Sequence, residues 1–157
     1  MTDPSTALQS FQKALLLDEI QLQSGELDKD LYVHADAPGG QARFTYVRLE
    51  GRTVTALVMF AVCEPINGTR CCAIGYAVPE AYRNQGRAKE VVEAAVSEMQ
   101  HFNRHSFYVE AIVGADNKPS QRVAEQLISN TPVAMTDEIS GLPAFRYVRR
   151  IERPTAV

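Results

Sequence analysis

The chain has no tryptophan, only three cysteines, and no apolar run approaching a membrane span. A spanning helix needs about 18 or more apolar residues in succession, so none is expected. Cys63, Cys71 and Cys72 are odd in number, and two are adjacent. All three sit in apolar, strand-like runs. No C-x-x-C or Cys/His ligand spacing occurs, so neither a disulfide framework nor a metal site is expected. Buried reduced thiols in a reducing compartment fit this usage. A basic excess is also missing: 16 Lys and Arg against 19 Asp and Glu leave a formal net charge of -3. Nucleic-acid binders usually carry the opposite balance, so that partner is not expected. The opening Met1-Thr2-Asp3-Pro4 lacks a basic-then-apolar leader pattern. The expectation is a cytoplasmic protein with no membrane partner.

What is present is ordinary globular usage. With 157 residues, 45% hydrophobic and 22% charged, residues 1–157 suit one domain with a sizeable core. Residues 4–24 read as a helix, because Leu8, Phe11, Leu15 and Leu22 recur at helical spacing. Strands are expected over residues 31–35, 43–49, 54–63 and 71–78. Gly-containing turns separate the first three, and Asn67-Gly68 is a hairpin signal before the fourth. The run 54–63 is almost wholly apolar, which predicts burial on both faces. Residues 88–102 form an amphipathic helix. Ala88, Val91, Val92, Ala95, Val96, Met99 and Phe102 lie on its apolar face, and Arg87, Lys89, Glu90, Glu93, Glu98 and Gln100 on the other. A strand at 106–113 follows this crossover helix and should run parallel to its neighbour. Asn117-Lys118-Pro119-Ser120 starts a further helix, with Val123, Leu127 and Ile128 as its buried stripe. A hairpin over 133–138 and 144–151 closes the chain. The class is α/β (α+β), with a mostly antiparallel sheet flanked by helices.

The stretch Tyr82-Arg83-Asn84-Gln85-Gly86-Arg87-Ala88 joins a strand to the clearest helix. The first amides of a helix lack intrahelical acceptors and carry partial positive charge, so this junction suits a phosphate or pyrophosphate. A Walker loop, GxxxxGK[ST], is absent, and the single Gly excludes the dinucleotide fingerprint GxGxxG. The remaining pattern, Q/R-x-x-G-x-G/A, matches Arg83, Gly86 and Ala88. Small residues at Gly86 and Ala88 let pyrophosphate approach the backbone, while Arg83 and Arg87 add charge.

Together with the preceding Ile74-Gly75-Tyr76 and the later Asn117-x-x-Ser120, this pattern resembles the GNAT superfamily of acetyl-CoA-dependent N-acetyltransferases. The resemblance covers roughly residues 42–151. It is most similar to the branch that includes ribosomal-protein N-terminal acetyltransferases. It implies a sheet whose strands 71–78 and 106–113 splay apart. It also implies that the backbone of Tyr76, Ala77 and Val78 pairs with the pantetheine of acetyl-CoA, as an added strand would. Amides of Gln85 to Ala88, with Arg83, Asn84 and Arg87, would hold the pyrophosphate, and Asn117 and Ser120 would lie near the thioester. The implied reaction acetylates a primary amine of a small molecule or peptide. It needs a base, an oxyanion donor and an acid.

Glu110 is the base candidate. It shares a strand face with Tyr108 and Ile112, and apolar surroundings there would discourage its ionisation. A water chain is the other possibility. The family's frequent acid is a Tyr seven residues after the Asn, and here that position is Ala124. Ser120, Tyr82 or no dedicated acid could replace it. A non-catalytic acyl-CoA-binding module is the competing reading. The terminal hairpin strands could support a homodimer.

Overall fold

The computed structural model describes residues 3–154. In chain order they form α1 (Pro4–Leu16), β1 (Gln23–Ser24), β2 (Tyr32–Asp36), β3 (Arg43–Glu50), β4 (Thr53–Ile66) and β5 (Thr69–Ala77). Then follow α2 (Arg87–Phe102), β6 (Phe107–Gly114), α3 (Lys118–Leu127), β7 (Val133–Thr136) and β8 (Pro143–Ile151). The strands make one eight-stranded sheet in the order β1-β2-β3-β4-β5-β6-β8-β7. Every pairing is antiparallel except β5 with β6, which α2 joins as a crossover. Asn67 (φ 49°) and Gly68 (φ 75°) turn the β4–β5 hairpin with both central residues left-handed, the geometry that matches strand twist.

The sheet carries a core on each face. On one face α2 and α3 cover Val58, Phe60, Cys72, Ile74, Val109 and Ala111. On the other, Leu8 and Leu15 of α1 cover Val54, Leu57 and Met59. The apolar run in β4 is therefore buried from both sides over Val54 to Phe60, as its composition predicts, whereas Ala61, Val62 and Cys63 are only half-buried. No helix among the described residues is long and apolar enough to cross a membrane.

The first helix is shorter than its spacing predicts. It ends at Leu16, and Asp18 turns left-handed (φ 55°). Leu22 still packs with the α1 cluster, but from the segment that follows the helix. Its contact is tertiary, so it imitates helical periodicity without being helical. In α3 the inward residues are Gln121 and Ala124, followed by Ile128 at its C-cap, with Val123 and Leu127 only half-buried. At the end of α2, Phe102 is 71% exposed.

Glu98 departs furthest from expectation. Its place on the polar side of α2 suggests a solvated residue, yet it is 4% exposed. Its carboxylate accepts the backbone N–H groups of Glu26 (3.2 Å), Leu27 (2.7 Å) and Asp28 (2.8 Å). A Cβ on Gly25 would collide with the same carboxylate, so only glycine fits there. The loop before β2 is thus pinned to α2 through one side chain. Glu98→Ala leaves three inward-facing amides without that acceptor. It should destabilise the fold by about 3 kcal/mol, the range for losing buried charge-assisted hydrogen bonds. Urea unfolding followed by circular dichroism measures this, and an unchanged midpoint contradicts it.

The feature that positions the site is the end of the β5–β6 pairing. Cys71 faces Tyr108, Cys72 faces Val109 and Ala73 faces Glu110, and there the register stops. Residues 74–77 of β5 and 111–114 of β6 continue without pairing to each other, while β6 stays paired to β8 along its whole length. The two central strands diverge and leave a wedge open toward their C-terminal ends.

Candidate functional site

A cleft of ≈720 Å³ opens where the wedge meets the first turns of α2 and α3. Gly86 precedes α2 in the left-handed region (φ 72°), and no side chain caps the helix. The first bond back to the Gly86 carbonyl comes from Glu90 (3.0 Å), so the amides ahead of it have no intrahelical acceptor. The other helices differ. Asp3 caps α1 and Asn117 caps α3, the latter accepting Ser120 N–H at 3.3 Å. Of the three α-helix N-termini among the described residues, only that of α2 is free of a capping side chain, and it faces the cleft.

The charged side chains lining the cleft are all cationic, in a chain of net negative charge. Arg83, Arg87, Lys89 and Arg122 line it, and no carboxylate does among the described residues. Arg83 donates from Nε to the Val78 carbonyl (3.0 Å), which fastens the loop to the end of β5. Arg87 lies 5.0 Å from the Tyr82 ring centre and reaches Glu50 at 3.2 Å. Arg48 donates to Glu90 and Asp28 at 2.7–2.8 Å, tying the first turn of α2 to β3 and to the loop that Glu98 holds. These two hydrogen-bonded carboxylates push the Arg48 guanidinium still further into its charged form.

Of the cofactor-binding residues expected from sequence, Tyr76, Val78, Arg83, Asn84, Gly86, Arg87, Ala88, Asn117 and Ser120 line this cleft together. Ala77 and Gln85 do not. The Ala77 side chain packs with the α1 cluster on the opposite face. Gln85 contributes its side-chain oxygen to Arg87 Nε at 3.2 Å. Tyr76 crosses from β5 to α3, where its hydroxyl donates to the Ser120 carbonyl at 2.6 Å. Burial is the main reason its phenol is pushed well above the ordinary range.

Of the three catalytic candidates, Tyr82 and Ser120 line the cleft and Glu110 does not. Tyr82 lies in the short turn Glu80–Tyr82, against Arg87 at the loop end of the cleft. Ser120 lies in the first turn of α3, beside the Tyr76 hydroxyl. Glu110 lies on the α1 face of the sheet, because β6 turns Val109, Ala111 and Val113 toward α2 and α3. Its surroundings are not the apolar ones its strand suggests. Arg146 of β8 donates to Glu110 Oε2 from Nε (2.7 Å) and lies 2.6 Å away through its terminal nitrogen. This pair arises because β8 inserts beside β6, bringing Arg146 diagonally across from Glu110. Glu110 is thus the last residue paired to β5, held by Arg146 on the face opposite the cleft. Ala124 is fully buried in the core.

The thiols are unsuited to carrying an acyl group. Burial pushes Cys63 and Cys71 upward and Cys72 up to about 11, so the reactive thiolate is scarce at neutral pH.

The profile of the acetyltransferase (GNAT) family matches residues 11–127. The chain belongs to that family. Solved structures with the same fold agree. The acetyltransferase of the GNAT family from Streptococcus pneumoniae superposes with a TM-score of 0.54 at 13% identity, over 69% of this chain and 66% of that one. The Salmonella typhimurium acetyl transferase that modifies the N-terminal serine of 50S ribosomal subunit protein L7/L12 gives 0.52 at 22%, over 70% and 64%. The putative acetyltransferase yncA from Salmonella typhimurium, solved with acetyl-CoA, gives 0.53 at 14%, over 73% and 67%. This GNAT chain therefore spans about two thirds of each structure's length, and at these identities the likeness is one of fold. The ribosomal-protein branch read from the β5 end and its loop is among these structural neighbours. No curated protein matches the chain in sequence.

Proposed function

We propose that this GNAT chain transfers the acetyl group of acetyl-CoA to a primary amine, on a small molecule or a peptide, by direct attack while both substrates are bound. The observation that carries the reading is the uncapped α2 N-terminus facing a cleft that, among the described residues, has four cations and no carboxylate. Such a cleft favours a polyanion, and the unpaired ends of β5 and β6 provide a slot from it through the sheet.

Amides following Gly86, with Arg83 and Arg87, hold the pyrophosphate. The free edge of β5 at Tyr76, continued by Val78 just beyond the strand, offers backbone groups to the pantetheine amides, as an added strand does. Bound there, acetyl-CoA supplies an activated carbonyl. The acceptor nitrogen bonds to that carbon, the carbon–sulfur bond breaks, and the departing thiolate takes a proton. Glu110 receives the proton the amine loses. Its position at the vertex, on the face away from the cleft, suits an amine arriving opposite the thioester. Ser120, in the first turn of α3, is better placed than Tyr82 to serve the thiolate, because Tyr82 lies at the loop end.

The buried Ala124, where the family often has its acid, favours one competing reading: an acyl-CoA-binding module without turnover. Incubation with acetyl-CoA and a panel of small amines and N-terminal peptides, read by thiol release and product mass, decides between them. A product heavier by one acetyl group is the expected outcome. Stabilisation by acetyl-CoA with no product from any amine favours the binding module, and stabilisation by ATP alone removes the CoA reading.

A further inference from the structure

Helix α1 covers only part of its face of the sheet. Among the described residues, the cluster beneath it draws on β2, β3, β4 and the end of β5, and takes none from β6, β7 or β8. Beyond it, β6 presents Tyr108, Glu110 and Ile112 on this face, the alternates of the buried Val109 and Ala111. The antiparallel β8 sets Val148 opposite Glu110 and Arg146 opposite Ile112. Ile112 is 43% exposed, and Tyr108 and Val148 are half-buried. An ion pair thus stands on an open strip of apolar and aromatic side chains, at the vertex of the β5–β6 wedge.

That pair is only half used. Both contacts from Arg146, through Nε at 2.7 Å and Nη2 at 2.6 Å, fall on Glu110 Oε2. Among the described residues, Glu110 Oε1 and Arg146 Nη1 have no hydrogen-bond partner. The pair therefore keeps one free acceptor and one free cationic donor. A second cation on this face, Arg150, is engaged by Glu152 at 3.0 Å and lies 5.9 Å from the Tyr108 ring centre.

Resting on the reading of Glu110 as the base in acetyl-CoA transfer, we propose that the acceptor is a free α-amino acid with an apolar side chain. Its nitrogen meets Glu110 Oε1 and its carboxylate meets Arg146 Nη1. One carbon carries both groups, so a single ion pair engages them together through charge-assisted hydrogen bonds. The side chain lies on Tyr108, Ile112 and Val148. The α-ammonium gives one proton to Glu110, which passes it to solvent. The nitrogen then bonds to the thioester carbon, the carbon–sulfur bond breaks, and the second nitrogen proton ends on the departing thiolate. A peptide N-terminus lacks the adjacent carboxylate, and a diamine sets a second ammonium against Arg146.

Initial rates of the full chain at saturating acetyl-CoA test this, with leucine, leucinamide, isopentylamine, glycine and a peptide beginning with leucine, read by thiol release and product mass. Leucine should exceed leucinamide, isopentylamine and the peptide in kcat/KM by about tenfold, the order that one charge-assisted contact supplies. Leucinamide is the demanding comparison. Its ammonium loses a proton more readily than that of leucine, so without carboxylate recognition it is the better acceptor. Glycine, with no side chain for the strip, should fall behind leucine several-fold. Arg146→Met removes the cation at similar length. Any disturbance of Glu110 in that variant lowers every acceptor alike, so the readout is the ratio of leucine to isopentylamine, which should approach unity. Arg146→Lys keeps the charge without the fork and should retain part of the preference. A wild type that uses leucinamide, isopentylamine or the peptide as well as leucine overturns the proposal, and that comparison needs no variant. A preference that survives in Arg146→Met overturns it too, and equal use of glycine and leucine overturns the apolar class. Stabilisation by acetyl-CoA with no product from any amine overturns the transfer reading itself, so the two failures are distinguishable.

Discussion

Gly86→Glu should abolish measurable CoA binding, with a loss of at least about a hundredfold, while the protein stays folded. Two consequences of the substitution point the same way. The new carboxylate sits at the amides that begin α2, where it can accept their hydrogen bonds itself and compete with phosphate. It also brings negative charge into a cleft whose described lining has none. Folding should survive because a Cβ at Gly86 meets nothing within 4 Å. The cost is the left-handed backbone (φ 72°), about 1–2 kcal/mol for a residue other than glycine. Gly86→Ala carries that strain without the charge, so it isolates the electrostatic part and should lose only several-fold in affinity. Calorimetry with CoA and thermal unfolding of both variants give the comparison. An unchanged CoA affinity in Gly86→Glu takes the loop out of the site.

How far this site could be read from sequence depended on whether its parts were local. The Gly86 junction was legible because every element is contiguous: a strand, a short loop with a small residue, and a strongly periodic helix. Asn67-Gly68 and the apolar run in β4 were legible for the same reason. The overlong first helix shows where periodicity misleads. Leu22 falls on the α1 stripe by spacing, but its contacts with that cluster come from the chain beyond the helix. Glu98 could not be read at all. Helical spacing placed it among the polar residues, and the amides that bury it lie about 70 residues earlier in the chain. The Arg146–Glu110 pair was hidden by topology. Nothing local announces that β8 inserts between β6 and β7, and the diagonal pair exists only in that order. That Tyr82 and Ser120 line one cleft was hidden likewise, since residues 82 and 120 are joined only through tertiary structure.

Glu110→Gln should lower turnover by about two orders of magnitude, within the range for losing a general base, while the acetyl-CoA Kd changes less than twofold. Glutamine keeps the size and an oxygen for Arg146 to address, so the vertex should keep its shape. What it cannot do is take a proton. The pH dependence separates this from a structural role for the ion pair. A primary amine is mostly protonated near neutral pH, and the base matters because that proton must leave before nitrogen can attack. As pH rises toward the pKa of the acceptor amine, a larger fraction arrives already neutral, so the deficit of Glu110→Gln should shrink. If Glu110 only braces β6 against β8 through Arg146, the deficit should be the same at every pH and be accompanied by a lowered thermal midpoint. Full activity of Glu110→Gln across the profile refutes the assignment and leaves proton removal to a water chain. The contrast with Gly86→Glu is itself informative. One variant should lose the acyl donor and keep its fold, whereas the other should keep the donor and lose the chemistry, as expected if donor and acceptor meet from opposite faces of the same opening between β5 and β6.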